Sequence, residues 1–309
     1  MDDLRMESTP ELSRPIMIMA YRGWNDAGAS ATHAVEYMVD RLGMERFGHV
    51  DHEEYYDFTQ ARPHTRPVGE YQRELTWPRN EFYFARQVGA QARDVVLFVG
   101  TEPHLRWRRY GQNLVRLTQD LGVTEVLALG ALLADTPHTR PVPLSGGSST
   151  AEFAGRLKAI GINGSHYEGP TGILSVVGSM LSEVGIPNGS IWAAVPHYIS
   201  ATPNPKASAT MVRQVNSIYA LDVPVTDLDS EAAAYEAQVE SAISDNPEAQ
   251  QYVRELEMHS MSDADEPNLD ALPPDTPSEP LDASQAESFI QSVEEFLRRQ
   301  QGGGGRDRE

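Results

Sequence analysis

Residues able to transfer protons, hold an anion or recognise a partner through hydrogen bonds gather in four short segments of this 309-residue chain. The first, Arg22-Gly23-Trp24-Asn25-Asp26-Ala27-Gly28, lies between an apolar run and a helical pattern, where backbone N–H groups could hold an anion. Asn25 or Asp26 could equally cap that helix, and Asp26 would repel a phosphate. Neither the G-x-G-x-x-G spacing nor the lysine of a P-loop is present. In the second, Gly100 to Trp107, Glu102 and His104 offer acid–base chemistry and Arg106 an anion contact, while Pro103 and Trp107 could simply shape and pack a turn. The third, Tyr167-Glu168-Gly169-Pro170-Thr171-Gly172-Ile173, supplies Gly169, Pro170, Thr171 and Gly172 beside His166. The fourth runs from Ile191 to His197 and Tyr198 and leads into Asn204-Pro205-Lys206. His166 or His197 could act as a base, although a hydrogen-bonded loop histidine is the plainer reading of each.

Other chemistries find no support. The chain has no cysteine, which removes disulfides, thiolate metal sites and a cysteine nucleophile. It has no G-x-S-x-G elbow, and Ser145-Gly146-Gly147-Ser148-Ser149-Thr150 reads as a flexible loop with a helix cap. His49-Val50-Asp51-His52-Glu53-Glu54 has the composition of a metal cluster, but strand alternation would send its ligands to opposite faces, so a polar edge strand is expected. The hexapeptide Pro-His-Thr-Arg-Pro-Val occurs at 63–68 and again at 137–142; the two copies could line one pocket or one contact, or coincide by loop chemistry alone. No catalytic residue, cofactor or metal is assigned.

The elements that must position these segments alternate. Pro15 to Tyr21 reads as a strand and is followed by a helical pattern ending near Gly43. Segments 49–58, 70–77 and 81–85 read as additional or edge strands. Asp94 to Gly100 has the unbroken apolar character of a strand buried on both faces, and a helical repeat then leads to a second buried strand, 126–131. A loop over 132–147, helices near 150–160 and 173–184, a strand over 190–195 and a helix over 207–221 complete an open α/β core spanning 12–222. A helical hairpin is expected over 223–260, an acidic proline-rich linker over 261–283, a tail helix over 284–300 and a disordered end over 301–309.

Charge follows the same division. The formal net charge is −20, and 22 Asp/Glu against 5 Lys/Arg between Asp222 and Glu309 account for most of it. Such a chain is not expected to bind nucleic acid or anionic lipid. The N-terminus has no signal-peptide pattern and no run is long enough for a membrane span, so a cytoplasmic location is expected.

The order of these motifs resembles a known family. Gly23 to Gly28 after the first strand, Gly100-x-Glu102-Pro103, Tyr167-x-Gly169-Pro170-Thr171-Gly172, and Trp192-Ala193-x-Val195-Pro196-His197-Tyr198 with Asn204-Pro205-Lys206 are similar to the proteasome assembly chaperone 2 family, and most of all to its actinobacterial branch, over residues 12–260. The resemblance implies a three-layer α/β domain like those of nucleoside phosphorylases and related hydrolases, followed by a small helical subdomain. It also implies a homo-oligomer, a trimer or higher, and a protein partner. Some members dock on proteasome α-subunits through a C-terminal hydrophobic-Tyr-any tripeptide; this chain ends Arg306-Asp307-Arg308-Glu309, so proteasome docking by that route is not expected. Two functions stand: a non-enzymatic, oligomeric assembly chaperone or scaffold with its acidic tail as a tether, or a nucleoside- or anion-binding enzyme or sensor lined by Arg22, Asn25, Asp26, Glu102, His104, Thr171 and His197.

Overall fold

The computed structural model describes residues 3–262 apart from 70, 166, 200 and 245, and apart from the side chains of 259–262. The expected linker beyond 262, the tail helix and the C-terminal end therefore lie outside the described residues, as does His166.

The architecture grows from β2 (Ile16–Arg22). Its side chains alternate across the sheet: Ile16, Ile18 and Ala20 enter one core, Met17, Met19 and Tyr21 the other, and each is at most 1% exposed. With no solvent face, β2 needs strands on both sides and helices above and below. It pairs in parallel with β7 (Arg93–Thr101) and with β8 (Glu125–Ala134), and β8 pairs in parallel with β11 (Asn188–Pro196). Outside this parallel centre the sheet becomes mixed. β6 (Glu81–Val88), β3 (Glu45–Val50) and β1 (Leu4–Met6) extend one side by antiparallel pairing. β9 (Leu144–Ser148) pairs antiparallel with β11 on the other side and carries the two-residue β10 (Asn163–Gly164).

Helices cover both faces. α1 (Ser30–Arg41), α3 (Ala151–Ala159) and α5 (Pro205–Tyr219) fill the first core with Val35, Met38, Phe153, Leu157, Met211 and Val215. α2 (Trp107–Asp120) and α4 (Ile173–Glu183) fill the second with Tyr110, Leu114, Leu174 and Val177. The three-layer α/β arrangement expected from the alternating pattern is thus observed. α6 (Thr226–Ser244) and α7 (Pro247–Ser262) form a helical hairpin with a small core of its own, in which Tyr235, Val239, Val253 and Leu256 close over Tyr198 and Ile199. The Asn246 side chain caps α7 by accepting from the Glu248 and Ala249 N–H groups.

Three expectations about local structure change. The strand proposed over 49–58 stops at Val50, because the Asp51 carboxylate accepts from the Glu53 N–H and turns the chain. The Gly-rich 145–150 segment is largely strand β9: a Cβ on Gly146 would lie 2.5 Å from the Ser190 carbonyl oxygen, so glycine permits the close pairing that its composition disguises as a loop. Only its last residue behaves as expected, Thr150 capping α3 through the Phe153 N–H. The 63–77 region forms β4 (His64–Pro67) and β5 (Arg73–Thr76), an antiparallel ribbon that pairs with no other strand among the described residues.

Burial predicts a sharp contrast between two leucines. Leu97, fully buried in β7, should cost about 2–5 kcal/mol when changed to Ala. Leu133→Ala, at the exposed end of β8, should stay within about 0.5 kcal/mol of the parent protein in the same urea titration.

Candidate functional site

Parallel pairing places the carboxyl ends of β7, β2, β8 and β11 on one edge of the sheet, and the loops after them carry most of the singled-out residues. A single carboxylate ties three of the four segments together. Glu102, after β7, accepts through Oε1 from the Asn25 side-chain amide at 2.9 Å and from the Ile173 N–H at 2.8 Å. One carboxylate oxygen thus joins the loop after β2, the loop after β7 and the start of α4, where it also faces the positive end of the helix. Asn25 is 1% exposed, and its amide lies so close to Gly172 that a Cβ there would be 2.2 Å from Oδ1. Gly172 is therefore needed for close approach, since its extended backbone suits any residue.

Asp26 has a different task. Its Oδ1 accepts from the Ala31 N–H at 2.7 Å and the Thr32 N–H at 3.2 Å, and its Oδ2 accepts from the Thr32 hydroxyl. It caps the first turn of α1, as one of the two sequence readings allowed. Burial raises its pKa; the Thr32 hydroxyl, the Ala31 and Thr32 N–H groups and the Arg22 charge pull the other way without cancelling the rise. Around it the backbone is stitched to neighbours: the Ala131 N–H donates to the Asn25 carbonyl, and the Asn204 N–H to the Gly28 carbonyl.

The remaining candidates turn elsewhere. Arg22 pairs with Glu36 of α1. His104 accepts through Nδ1 from the Asp57 N–H at 3.1 Å, and Arg106, in left-handed backbone, pairs with Glu54. Gly169, Pro170 and Thr171 form an exposed turn closed by the Tyr167 hydroxyl, which donates to the Pro170 carbonyl at 3.0 Å. Trp24 is 59% exposed. His197 and Tyr198 belong to the seam with the helical hairpin: His197 Nδ1 is 3.1 Å from Asp135 Oδ1 and its Nε2 is 3.3 Å from the Tyr252 hydroxyl. The buried Tyr198 hydroxyl donates to or accepts from His138 Nδ1 according to tautomer, at 2.8 Å, and accepts from the His138 N–H. Burial lowers the His138 pKa, favouring the neutral ring.

The Asn204-Pro205-Lys206 motif is likewise architectural. Asn204 caps α5 through the Ala207 N–H, Pro205 occupies its first turn, and Lys206 donates to Glu236 of α6 and to the His138 carbonyl. The two hexapeptides are in different settings, the first in the exposed β4–β5 ribbon and the second beneath the hairpin with His138 buried. Among the described residues no group of three or more His, Asp or Glu could hold a metal ion, and no helix is long and apolar enough to cross a membrane.

Several participants carry no local sequence signal. Asp135, Tyr252 and the Ile173 N–H become partners of His197 and Glu102 only through folding. Asp3 is another: buried, it receives two Arg109 N–H groups at 2.7 Å, an Asn113 amide and the Tyr55 hydroxyl, beside a second buried network in which Asn80 joins Tyr56, Tyr110 and the Thr101 N–H. These networks support the β7 loop from below.

A model of the PAC2 family matches residues 20–243. A PAC2 family protein from Streptomyces avermitilis is 39% identical, with 77% of this chain and 99% of that one covered at a TM-score of 0.70. A proteasome-assembly chaperone homologue from Mycobacterium tuberculosis is 41% identical over the same shares, also at 0.70. An archaeal proteasome activator from Pyrococcus furiosus shares the fold at 16% identity, covering 77% of this chain and 97% of its own, with a TM-score of 0.63. No curated protein matches the chain.

Two measurements test the site. Asn25→Ala and Glu102→Ala should be non-additive in a double-mutant cycle, with a coupling of about 0.5–3 kcal/mol in urea unfolding. For Asp26, a raised folded-state pKa means that the native state holds the proton more tightly, so stability is lost as pH rises from the ordinary carboxylate value to the folded one. Asp26→Asn keeps a capping oxygen and removes that loss, so its stability relative to the parent should climb across this window and then level, whereas Asp26→Ala should lose about 0.5–2 kcal/mol of capping.

Proposed function

The chain belongs to the PAC2 family, and from that premise we propose that it is a non-enzymatic, homo-oligomeric assembly chaperone or scaffold that works through protein contact at the carboxyl edge of its sheet. The relative described as a proteasome-assembly chaperone homologue supports a chaperone-type role. The observation that carries the proposal is how the strand-end groups are used. The Glu102 carboxylate and the Asn25 amide bind loops to one another, while three large apolar side chains stand out on the same edge: Trp24 at 59% exposure, Leu105 at 50% and Leu133 at 49%. A rigid polar base bearing exposed apolar residues suits protein recognition. A nucleoside- or anion-binding reading needs Arg22, His104 and His197 to converge with Glu102, but each is engaged by a different neighbour: Glu36, the Asp57 N–H, and Asp135 with Tyr252.

The proposal is tested by mixing the full chain with proteasome α- and β-subunits of its own host and following particle formation on native gels. Binding to α-subunits with altered assembly kinetics is expected. Trp24→Asp with Leu105→Asp should weaken both effects at unchanged thermal stability. The absence of both binding and any kinetic effect would overturn the proteasome form of the proposal, and a monomer by light scattering at assembly concentrations would overturn its oligomeric part.

A further inference from the structure

The sequence contains two Asn-Gly pairs, and serine follows each: Asn163-Gly164-Ser165 and Asn188-Gly189-Ser190. Such a pair can rearrange without an enzyme. Glycine has no side chain to shield its peptide nitrogen, and once that nitrogen loses its proton it can attack the carbonyl carbon of the asparagine side chain. The two copies share their local chemistry, so the fold decides which of them reacts.

The copy at 188 is held shut. The Asn188 amide donates to Ser182 Oγ at 2.9 Å and to the Ile186 carbonyl at 3.1 Å. Gly189 is buried in β11 between β8 and β9, and a Cβ there would lie 2.8 Å from the Phe153 ring. The Val126 N–H donates to the Pro187 carbonyl, so by strand alternation residues 187 and 189 both face β8, and the Gly189 N–H is turned into the sheet. The copy at 163 differs on each count. β10 is an edge strand of the nine-stranded sheet, and both of its residues are exposed. The Asn163 side chain has no hydrogen bond among the described residues. A Cβ on Gly164 would meet nothing within 4 Å. The Ser165 N–H donates to the Gly146 carbonyl at 3.2 Å, so the same alternation turns the Gly164 N–H away from β9 and toward the open edge. A two-residue edge strand also opens locally at lower cost than a strand inside the sheet.

We infer that Asn163 is a site of spontaneous deamidation and backbone isomerisation, and that the sheet protects Asn188 from the same reaction. The Gly164 nitrogen forms a bond to Asn163 Cγ, the Cγ–Nδ2 bond breaks, and ammonia leaves with the proton taken from Gly164, which closes a five-membered succinimide. Water then opens the ring. Cleavage between Cγ and the Gly164 nitrogen gives aspartate; cleavage between the backbone carbonyl carbon and that nitrogen gives isoaspartate, whose main chain runs through Cγ. Either product adds a negative charge. Isoaspartate also lengthens the main chain by one carbon, which displaces Ser165 from the Gly146 carbonyl and releases β10 from β9. The inference stands on the two tripeptides and their places in the sheet, and it does not depend on the chaperone reading.

The test is to incubate the folded full-length protein in mildly alkaline, heavy-oxygen water and to follow label in each tripeptide by peptide mass spectrometry. Label should enter at 163 at least about ten-fold faster than at 188, the equivalent of ~1.4 kcal/mol of additional opening cost at 188. In urea the two rates should converge, because the tripeptides then lose their different surroundings. Gly164→Ala, for which the structure has room, should slow the reaction at 163 while the fold is kept. The isoaspartyl form, separated by chromatography, should lose hydrogen-exchange protection at the Ser165 N–H, whereas Asn163→Asp, which adds only the charge, should keep it. Equal rates in the folded protein, a faster reaction at 188, or no label at 163 by the time the unfolded chain has fully converted would each overturn the inference. Protection retained at Ser165 in the isoaspartyl form would overturn the release of β10.

Discussion

Everything in this fold follows from the burial of β2 on both faces. A strand whose six leading side chains are all out of water must satisfy its backbone through neighbouring strands and its side chains through two separate cores. Parallel partners meet the first demand, and parallel strands require crossovers long enough to hold helices. The helices then meet the second. The same geometry sends the carboxyl ends of β7, β2, β8 and β11 to one edge, so loops distant in sequence are made neighbours by the sheet.

What happens at that edge is decided by polar accounting. Loops that approach closely bring buried amides and carbonyls with them, and each buried group left unpaired costs about 1–3 kcal/mol. Glu102, Asn25 and Asp26 answer that cost. Glu102 takes up the first free N–H of α4, which has no side-chain cap of its own, and Asp26 takes up two at α1. The carboxylates that look chemical in sequence therefore stabilise helix starts and hold loops in place. Trp24 stands exposed above a loop held by these bonds.

The helical hairpin repeats this logic at a second seam. Tyr198 and Ile199 leave β11 and enter the hairpin core, while His138, His197, Lys206 and Tyr252 pair across the joint. A motif that continues a strand in sequence thus acts as an anchor for the next structural unit. The β4–β5 ribbon is the contrasting case: it has cross-strand pairs such as Arg66 with Glu74, and nearly all of its residues are exposed.

The apolar runs of β2, β7 and β8 and the three-to-four spacing in α2 were legible because their signal is local: periodicity and length are enough to identify them. From sequence alone came the α/β class, the order of the central strands and the helices that join them, the family and the acidity concentrated beyond residue 221. Strand β9 was hidden, since Gly146 and Gly147 serve pairing by lacking side chains and so leave no pattern to read. The site was only half legible for a related reason. Glu102 and Asn25 could be named as polar residues at strand ends, but their partnership with each other and with the Ile173 N–H spans 77 and 71 positions. Hydrogen bonds are settled by distance in space, to within tenths of an ångström, and sequence spacing carries no such information across separate elements; only the packed sheet could turn three candidate loops into one closed contact and send His197 to another.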